Sequence, residues 1–440
     1  MSDHESVGYN GAVKNERRIS PPLTNKAHKP TEKRERVFLT GVRRKGQTRH
    51  DFEASLNELN RLVDTAGGDI VGLAKQEIEH PHPKTFLGKG KVAQIEEEVR
   101  QNNAESVAID DELTPTQNQN LEDNWKVKVI DRTAVILDIF AKRAHTKEGR
   151  LQVELAQLKY IQPRLKGMWS HFSKQTGSIG LRGPGETQLE VDRRRLKEKI
   201  TQIHGRLKEV QTHRTLHRLK REAVPLPLFS LVGYTNAGKS TLFNSLTHAD
   251  VLVEDKLFAT LDPIVRRLKL PSGRQVLMAD TVGFIRKLPL SLIEAFKATF
   301  EEIAHADCLI HVVDASDPEV YQQIETVEQA LVELELRQKP ILTIFNKKDQ
   351  GFVEMNGSQG IPVSALTGEG MDQLLLEMDH FLRRSCQRAH FFLPYSRGDI
   401  LASLYTLGHV VEARHEADGV HVICEIEPQH VKKYRQFLAA

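Results

Sequence analysis

Cysteine is scarce in this chain. Cys308, Cys386 and Cys424 are the only three in 440 residues, and they are scattered without metal-ligand spacing. That speaks against a disulfide scaffold or a thiolate metal site and fits a reduced, cytoplasmic location. Long apolar runs are missing too. Segments such as Cys308–Val313 fall far short of the roughly 20 residues a membrane-spanning helix needs. The first residues lack the apolar stretch of a secretory signal, so none is expected. Nor is there a large excess of charge of one sign, since 62 Lys plus Arg face 59 Asp plus Glu, a formal net charge of +3.

That balance hides an asymmetry. Between Lys142 and Glu222 there are 20 Lys plus Arg against 8 Asp plus Glu, or +12, which leaves −9 for the rest of the chain. A basic block in an otherwise acidic protein points to a polyanionic partner, and without a membrane span nucleic acid leads. The alternative is a solvated, charge-rich helical surface.

The length suggests several domains. Residues 1–35 are polar and turn-rich (Ser20-Pro21-Pro22, His28-Lys29-Pro30) and are expected to be a disordered tail. Residues 36–149 alternate strand-like runs (Val37–Val42, Asp69–Leu73, Ser106–Ile109, Val127–Ile130) with helical stretches (Leu56–Val63, Val92–Val99, Thr116–Trp125). This order predicts a small, mostly parallel α/β domain. Phe86–Lys91, before one helix start, would suit an anion or be a plain turn.

Residues 150–224 read as a basic helical hairpin. Leu151, Leu155, Leu158, Ile161 and Leu165 keep helical spacing, and Leu196, Ile200, Ile203, Leu207 and Val210 repeat at 4-3-4-3, a coiled-coil-like seam for antiparallel pairing. The loop between them, residues 167–185, contains no acidic residue. It carries Lys174, Arg182 and His171 with Trp169 and Phe172 interleaved, a composition that tracks phosphates and stacks on unpaired bases. Arg193, Arg194 and Arg195 would add phosphate contacts beside it. A tip folded back on a neighbouring domain is the competing reading. Pro225 and Pro227 then open residues 225–385, followed by a short α/β tail over 386–440 that holds no chemical motif.

The chemistry lies in 225–385. Strand Leu228–Val232 leads into Gly233-Tyr234-Thr235-Asn236-Ala237-Gly238-Lys239-Ser240 and then a helix. This is GxxxxGKS in the strand–loop–helix context it requires, with backbone N–H groups turned to phosphates, Lys239 reaching the β- and γ-phosphates and the Ser240 hydroxyl on Mg²⁺. Asp280-Thr281-Val282-Gly283 follows a second strand, with Asp280 in the magnesium shell and the Gly283 N–H at the γ-phosphate. Within Phe258-Ala259-Thr260-Leu261-Asp262, Thr260 is the natural second hydroxyl for Mg²⁺. Asn346-Lys347-Lys348-Asp349 ends another strand. The Asp349 carboxylate would accept from guanine N1–H and N2–H, a pattern adenine lacks, so the base is guanine and a P-loop kinase or ATPase is disfavoured. Asn346 would tie the base site to the phosphate loop and the Lys347 stem would cover the base. Ser364-Ala365-Leu366 would bring a backbone N–H to guanine O6. Phe284 stands where many GTPases carry the glutamine that orients water, so no catalytic residue is assigned and intrinsic hydrolysis is expected to be slow. Asn236 is a candidate ligand for K⁺, or alternatively a loop-stabilising residue.

With these residues in hand, residues 36–440 resemble the HflX family of ribosome-associated GTPases. The diagnostic segment is Gly180-Leu181-Arg182-Gly183-Pro184-Gly185-Glu186-Thr187-Gln188-Leu189-Glu190, with Asp192 and the arginines after it. Asp110-Asp111-Glu112-Leu113, with Pro115 and Gln117, and Phe258–Asp262 also match. The resemblance implies an α/β domain, a hairpin, a P-loop GTPase domain and a small C-terminal α/β domain. It also implies a monomeric, cytoplasmic, ribosome-associated or peripherally membrane-associated protein. This would bind GTP and GDP with Mg²⁺, bind the large (50S) subunit and its RNA, and split stalled or idle 70S ribosomes under stress. Hydrolysis would be stimulated by the ribosome. A GTPase acting in ribosome assembly or RNA processing is the alternative.

Overall fold

The computed structural model describes residues 34–165, 188–221, 226–249, 254, 256–289, 292, 296–351, 359–384, 386–426 and 428–439. Glu35–Ala440 form one compact unit. Its first layer is a four-stranded parallel sheet of order β2-β1-β3-β4, from β1 (Glu35–Arg44), β2 (Gly68–Ile78), β3 (Ser106–Ile109) and β4 (Lys128–Asp131). Parallel strands need crossover helices, which bury both faces. Accordingly Val37–Val42 of β1 are buried without alternation. Among the crossovers, α1 (Arg49–Ala66) starts on the Thr48 cap and stops at Gly67 in the left-handed region. Helix α2 (Lys89–Gln101) precedes α3 (Pro115–Trp125), which opens on a capping box between Thr114 and Gln117 with proline in its first turn.

Two helices then carry the chain away from the sheet. Helix α4 (Arg132–Arg143) is capped by Asp131, and α5 (Lys147–Ile161) by Thr146. Helix α6 (Gln188–Arg221) returns against α5, where Leu151, Leu155 and Ile203 are buried together with Leu158, Ile200 and Leu207 packed on them. The leucine and isoleucine stripes are therefore a helix–helix seam. The tip, residues 167–185, lies outside the described residues, and with it Trp169, Phe172, Lys174 and Arg182.

The second sheet has order β10-β9-β8-β5-β7-β6. It comprises β5 (Leu228–Gly233), β6 (Ile264–Lys269), β7 (Gln275–Asp280), β8 (Cys308–Asp314), β9 (Ile341–Asn346) and β10 (Ile361–Pro362). All neighbours run parallel except β6 against β7. Helices α7 (Lys239–Thr247), α8 (Lys297–His305), α9 (Val320–Glu333) and α10 (Met371–Arg384) cover it. One apolar cluster runs from Leu59, Leu62 and Phe140 of the first layer to Phe258, Phe284 and Phe300 of the second. The two layers thus share a core. A three-stranded antiparallel sheet ends the chain, with β11 (Gln387–Leu393), β12 (His409–His415) and β13 (Val420–Ile426) in the order β11-β13-β12. Helix α11 (Gly398–Leu407) packs on it, followed by the short α12 (Pro428–Lys433). Among the described residues no helix is long and apolar enough to cross a membrane.

Candidate nucleotide site

Strand β5 ends at Gly233 and α7 begins at Lys239, so the intervening turn sits at the carboxyl end of a central parallel strand, where open α/β sheets take ligands. Leu242, Phe243 and Leu246 are buried and seat α7 on the sheet. Gly238 has a φ of +93°, and a Cβ there would lie 2.2 Å from the Asn346 Nδ2. Only glycine meets both conditions. Asn236 also has positive φ, at 63°, a conformation asparagine tolerates better than most residues.

Lys239 is buried, and its ammonium donates to the Tyr234 carbonyl at 2.7 Å and the Gly233 carbonyl at 3.2 Å. Burial pushes the amine down to about 8, opposed in part by the charge of Asp280. Across the pocket, the Ser240 hydroxyl donates to Asp280 Oδ2 at 2.7 Å and lies 2.7 Å from Thr260 Oγ1. Thr260 donates to the same carboxylate oxygen at 3.0 Å. Asp280 is fully buried, and burial raises its carboxyl above the usual range although these hydroxyls and Lys239 pull it down. Its Oδ1 has no hydrogen-bond partner among the described residues. Two hydroxyls and a carboxylate with an orphaned oxygen suit a hard, oxygen-seeking dication such as Mg²⁺.

Thr235, Asn236, Gly238, Lys239, Ser240, Phe258, Ala259, Thr260, Thr281 and Gly283 line one pocket. The Thr281 hydroxyl is turned away from it and donates to the Leu231 carbonyl at 2.6 Å, and Val282 is core. Phe284 is 1% exposed and stacks on Phe300 with ring centroids 5.7 Å apart. Its backbone pairs with the phosphate-loop side, Phe284 N–H to the Gly233 carbonyl at 3.0 Å and Thr235 N–H to the Phe284 carbonyl at 2.7 Å. The ring is held in the core and cannot orient water.

On the base side, Asn346 donates to the Ala237 carbonyl at 2.8 Å, and its Oδ1 accepts from the Ala365 N–H at 2.9 Å. One side chain thereby joins the phosphate loop to the Ser364–Leu366 loop. Ser364 Oγ donates to Asp349 Oδ1 at 2.5 Å, and Lys347 pairs with Asp314 at 2.6 Å. Leu366 is exposed beside them.

Three side chains beside these motifs have partners away from the pocket. Leu261 is buried in the core. Lys348 pairs with Glu369 at 2.5 Å. Asp262 reaches the start of α5, accepting from the Thr146 N–H at 2.8 Å and the His145 N–H at 2.9 Å. Arg193, Arg194 and Arg195 are exposed near the start of α6.

Sequence reasoning missed a polar junction between the two sheets. The Tyr234 hydroxyl donates to Glu58 and accepts from the Arg286 N–H at 3.0 Å. Arg132, 1% exposed, bonds Glu58, Asp110 at 2.7 Å and the Arg286 carbonyl at 3.1 Å. Lys287 donates to the Asp110 carbonyl and carboxylate at 2.7 and 2.8 Å. The segment after Gly283 is thus fixed to the carboxyl ends of β3 and β4. The one signal was the Asp110-Asp111 pair, to which no role was given.

Sequence comparison places the chain among known GTPases. The family descriptions "GTP-binding GTPase N-terminal", "GTP-binding GTPase Middle Region" and "50S ribosome-binding GTPase" match residues 53–141, 143–221 and 229–347. The GTPase HflX of Caldanaerobacter subterraneus subsp. tengcongensis is 45% identical over 88% of this chain and 90% of its own length. That of Escherichia coli is 44% identical over 83% and 87%. A solved SsGBP–GDP complex is similar at 25% identity over 79% of this chain and 98% of that one, with a TM-score of 0.44. On the extent of these sequence matches, the chain belongs to the GTPase HflX family and is a GTP hydrolase.

Proposed function

We propose that this GTPase is a slow switch that binds the large ribosomal subunit and uses its nucleotide cycle to split stalled or idle 70S ribosomes. The observation that carries the reading is Phe284. A nucleotide pocket whose water-positioning place is taken by a core phenyl ring hydrolyses slowly alone and leaves room for an external activator. The basic segment Lys142–Glu222, with its tip at 167–185 and Arg193–Arg195, is the RNA-facing part. The matched description of a 50S ribosome-binding GTPase over 229–347 supports the same partner.

In this reading residues 36–149, 150–224, 225–385 and 386–440 act as four domains. The backbone of Gly233–Lys239 holds the phosphates, and Lys239 leaves its carbonyl partners for the β- and γ-phosphates. Ser240 and Thr260, with Asp280 behind them, hold Mg²⁺, which neutralises charge on the phosphates when bound. Asp349 reads guanine, oriented by Ser364, while Lys347 and the Ala365–Leu366 backbone flank the base. Asn236 is a ligand for K⁺; its positive φ gives an independent reason for asparagine there, so the test must separate backbone from side chain.

Sedimentation of 70S ribosomes after incubation with the protein and GTP tests the output. The reading expects 30S and 50S peaks. Persistent 70S peaks, together with retention on precursor RNA, would favour the assembly role.

A further inference from the structure

Asp262 lies two residues beyond Thr260, yet its carboxylate is seated at the first turn of α5, the helix that becomes one arm of the basic hairpin. Asp262 Oδ2 accepts from the His145 and Thr146 N–H groups at 2.9 and 2.8 Å, and Oδ1 accepts from the Thr146 hydroxyl at 2.5 Å. Thr146 Oγ1 in turn accepts from the Gly149 N–H at 2.9 Å and caps the helix. A carboxylate there gains both charge-assisted hydrogen bonds and the favourable end of the helix dipole.

The seat is built for it. Gly149 is buried, and a Cβ at that position would lie 2.2 Å from Asp262 Oδ1 and 3.1 Å from Thr146 Oγ1. Any larger residue evicts the carboxylate. Two further contacts hold the same loop on the same corner. The Phe258 ring packs edge-on against Phe140 of α4 with centroids 4.7 Å apart, and Arg143 pairs with Glu254. Phe258 takes this place with a positive φ of 55°, a conformation costly for a bulky residue unless its surroundings enforce it.

We propose that Asp262 is a positioning residue: docked in the Gly149 seat, it fixes the Thr260 loop to helix α5, so that the arrangement of Thr260 at the γ-phosphate and the seating of the hairpin are one coupled equilibrium. The inference rests on the reading of Thr260 as a magnesium-side hydroxyl. It adds the physical link from nucleotide state to the RNA-facing arm. Coupling of this kind is reciprocal, so whatever displaces α5 also changes the affinity for the triphosphate.

The test uses the full chain with GDP and a non-hydrolysable GTP analogue, each with Mg²⁺. Asp262→Asn keeps the size but turns an amide N–H₂ toward donors, and Gly149→Ala fills the seat from outside the pocket. Each is expected to weaken the analogue about tenfold, the worth of one lost hydrogen bond to a charged group, while GDP affinity stays within twofold. The double variant should be no weaker than the worse single one, because both break one contact. Unchanged analogue-to-GDP ratios, or additive losses, overturn the proposal. Thr260→Ala separates it from its premise. If Thr260→Ala leaves the ratio unchanged, the magnesium reading fails and the coupling falls with it; if that ratio drops while both dock variants behave as the parent, only the coupling fails. A second readout needs no variant. Amide exchange at residues 145–149 should be slower with the analogue than with GDP, and equal exchange in the two states contradicts the coupling.

Discussion

Replacing Asp349 by asparagine isolates the guanine reading. The carboxylate is exposed at the end of β9, with Ser364 Oγ donating to one oxygen at 2.5 Å, which leaves lone pairs on both oxygens for the N1–H and N2–H of guanine. Each hydrogen bond to a charged acceptor is worth about 1.5–3 kcal/mol. Losing two therefore weakens GTP by about 3–6 kcal/mol, or about 10²–10⁴ in Kd. Exposure of the group argues for the lower end, about 10²-fold. The asparagine amide instead presents a donor that the O2 carbonyl of xanthine accepts, so XTP should gain as GTP loses. Competition binding with GTP, XTP and ATP against a fluorescent nucleotide reads the change, with Mg²⁺ held constant. GTP affinity within threefold of the parent, with no gain for XTP, would refute the assignment of Asp349 to the base. Ser364→Ala should weaken GTP more mildly, because it frees the carboxylate without removing it.

Other consequences follow from the same geometry. His311, buried in β8, has its imidazole pushed down to about 4, chiefly by burial and then by the charge of Lys239. It is neutral in the fold and charges more readily when unfolded. Its contribution is therefore complete above pH 6.5 and falls as the pH drops from 6.5 toward 4, by about 3 kcal/mol in all. His311→Gln should flatten the loss of Tm across that window, and an identical acid slope would discard the assignment. For the cation site, Asn236→Gly keeps the positive φ and removes the side chain. K⁺ should accelerate GTP turnover over Na⁺ in the parent and not in Asn236→Gly; equal rates in both salts for the parent remove the K⁺ reading.

Much of this was legible in the chain because the G-domain motifs carry their own context. Gly233–Ser240, Asp280–Gly283 and Asn346–Asp349 each end a strand of the central sheet, as their apolar approaches predict. Phe284 was read from the chain as unable to orient water, but its burial against Phe300 was not. Element ends were harder to read. Strands β1 and β2 run to Arg44 and Ile78, past the apolar cores that announced them, because pairing rather than composition sets their length. Helix α4 was overlooked because its buried stretch Val135–Leu137 with Ile139 and Phe140 is a short, largely β-branched apolar run that follows β4 directly, and such a run reads equally as strand. Strand β11 was missed although Ala389, Phe391 and Leu393 alternate with Arg388, His390 and Phe392 as a half-buried strand should.

The junction residues were illegible on physical grounds. Tyr234 and Glu58 stand 176 positions apart, and Lys287 and Asp110 177. No local pattern records such a partner. The seat of Asp262 was hidden for the same reason: its neighbour Thr260 faces the pocket, while its own carboxylate reaches Thr146, 116 positions away.

The proposed cycle requires a GTPase that is slow by itself and completed by a ribosomal partner. The most direct measurement is the steady-state GTP turnover of the full chain with and without purified large ribosomal subunits, at saturating GTP and fixed Mg²⁺ and K⁺. A low basal rate is expected to rise at least tenfold with the subunits, as an activator supplying transition-state groups the protein lacks would produce. A basal rate already at that level, or no change on adding large subunits, would contradict it.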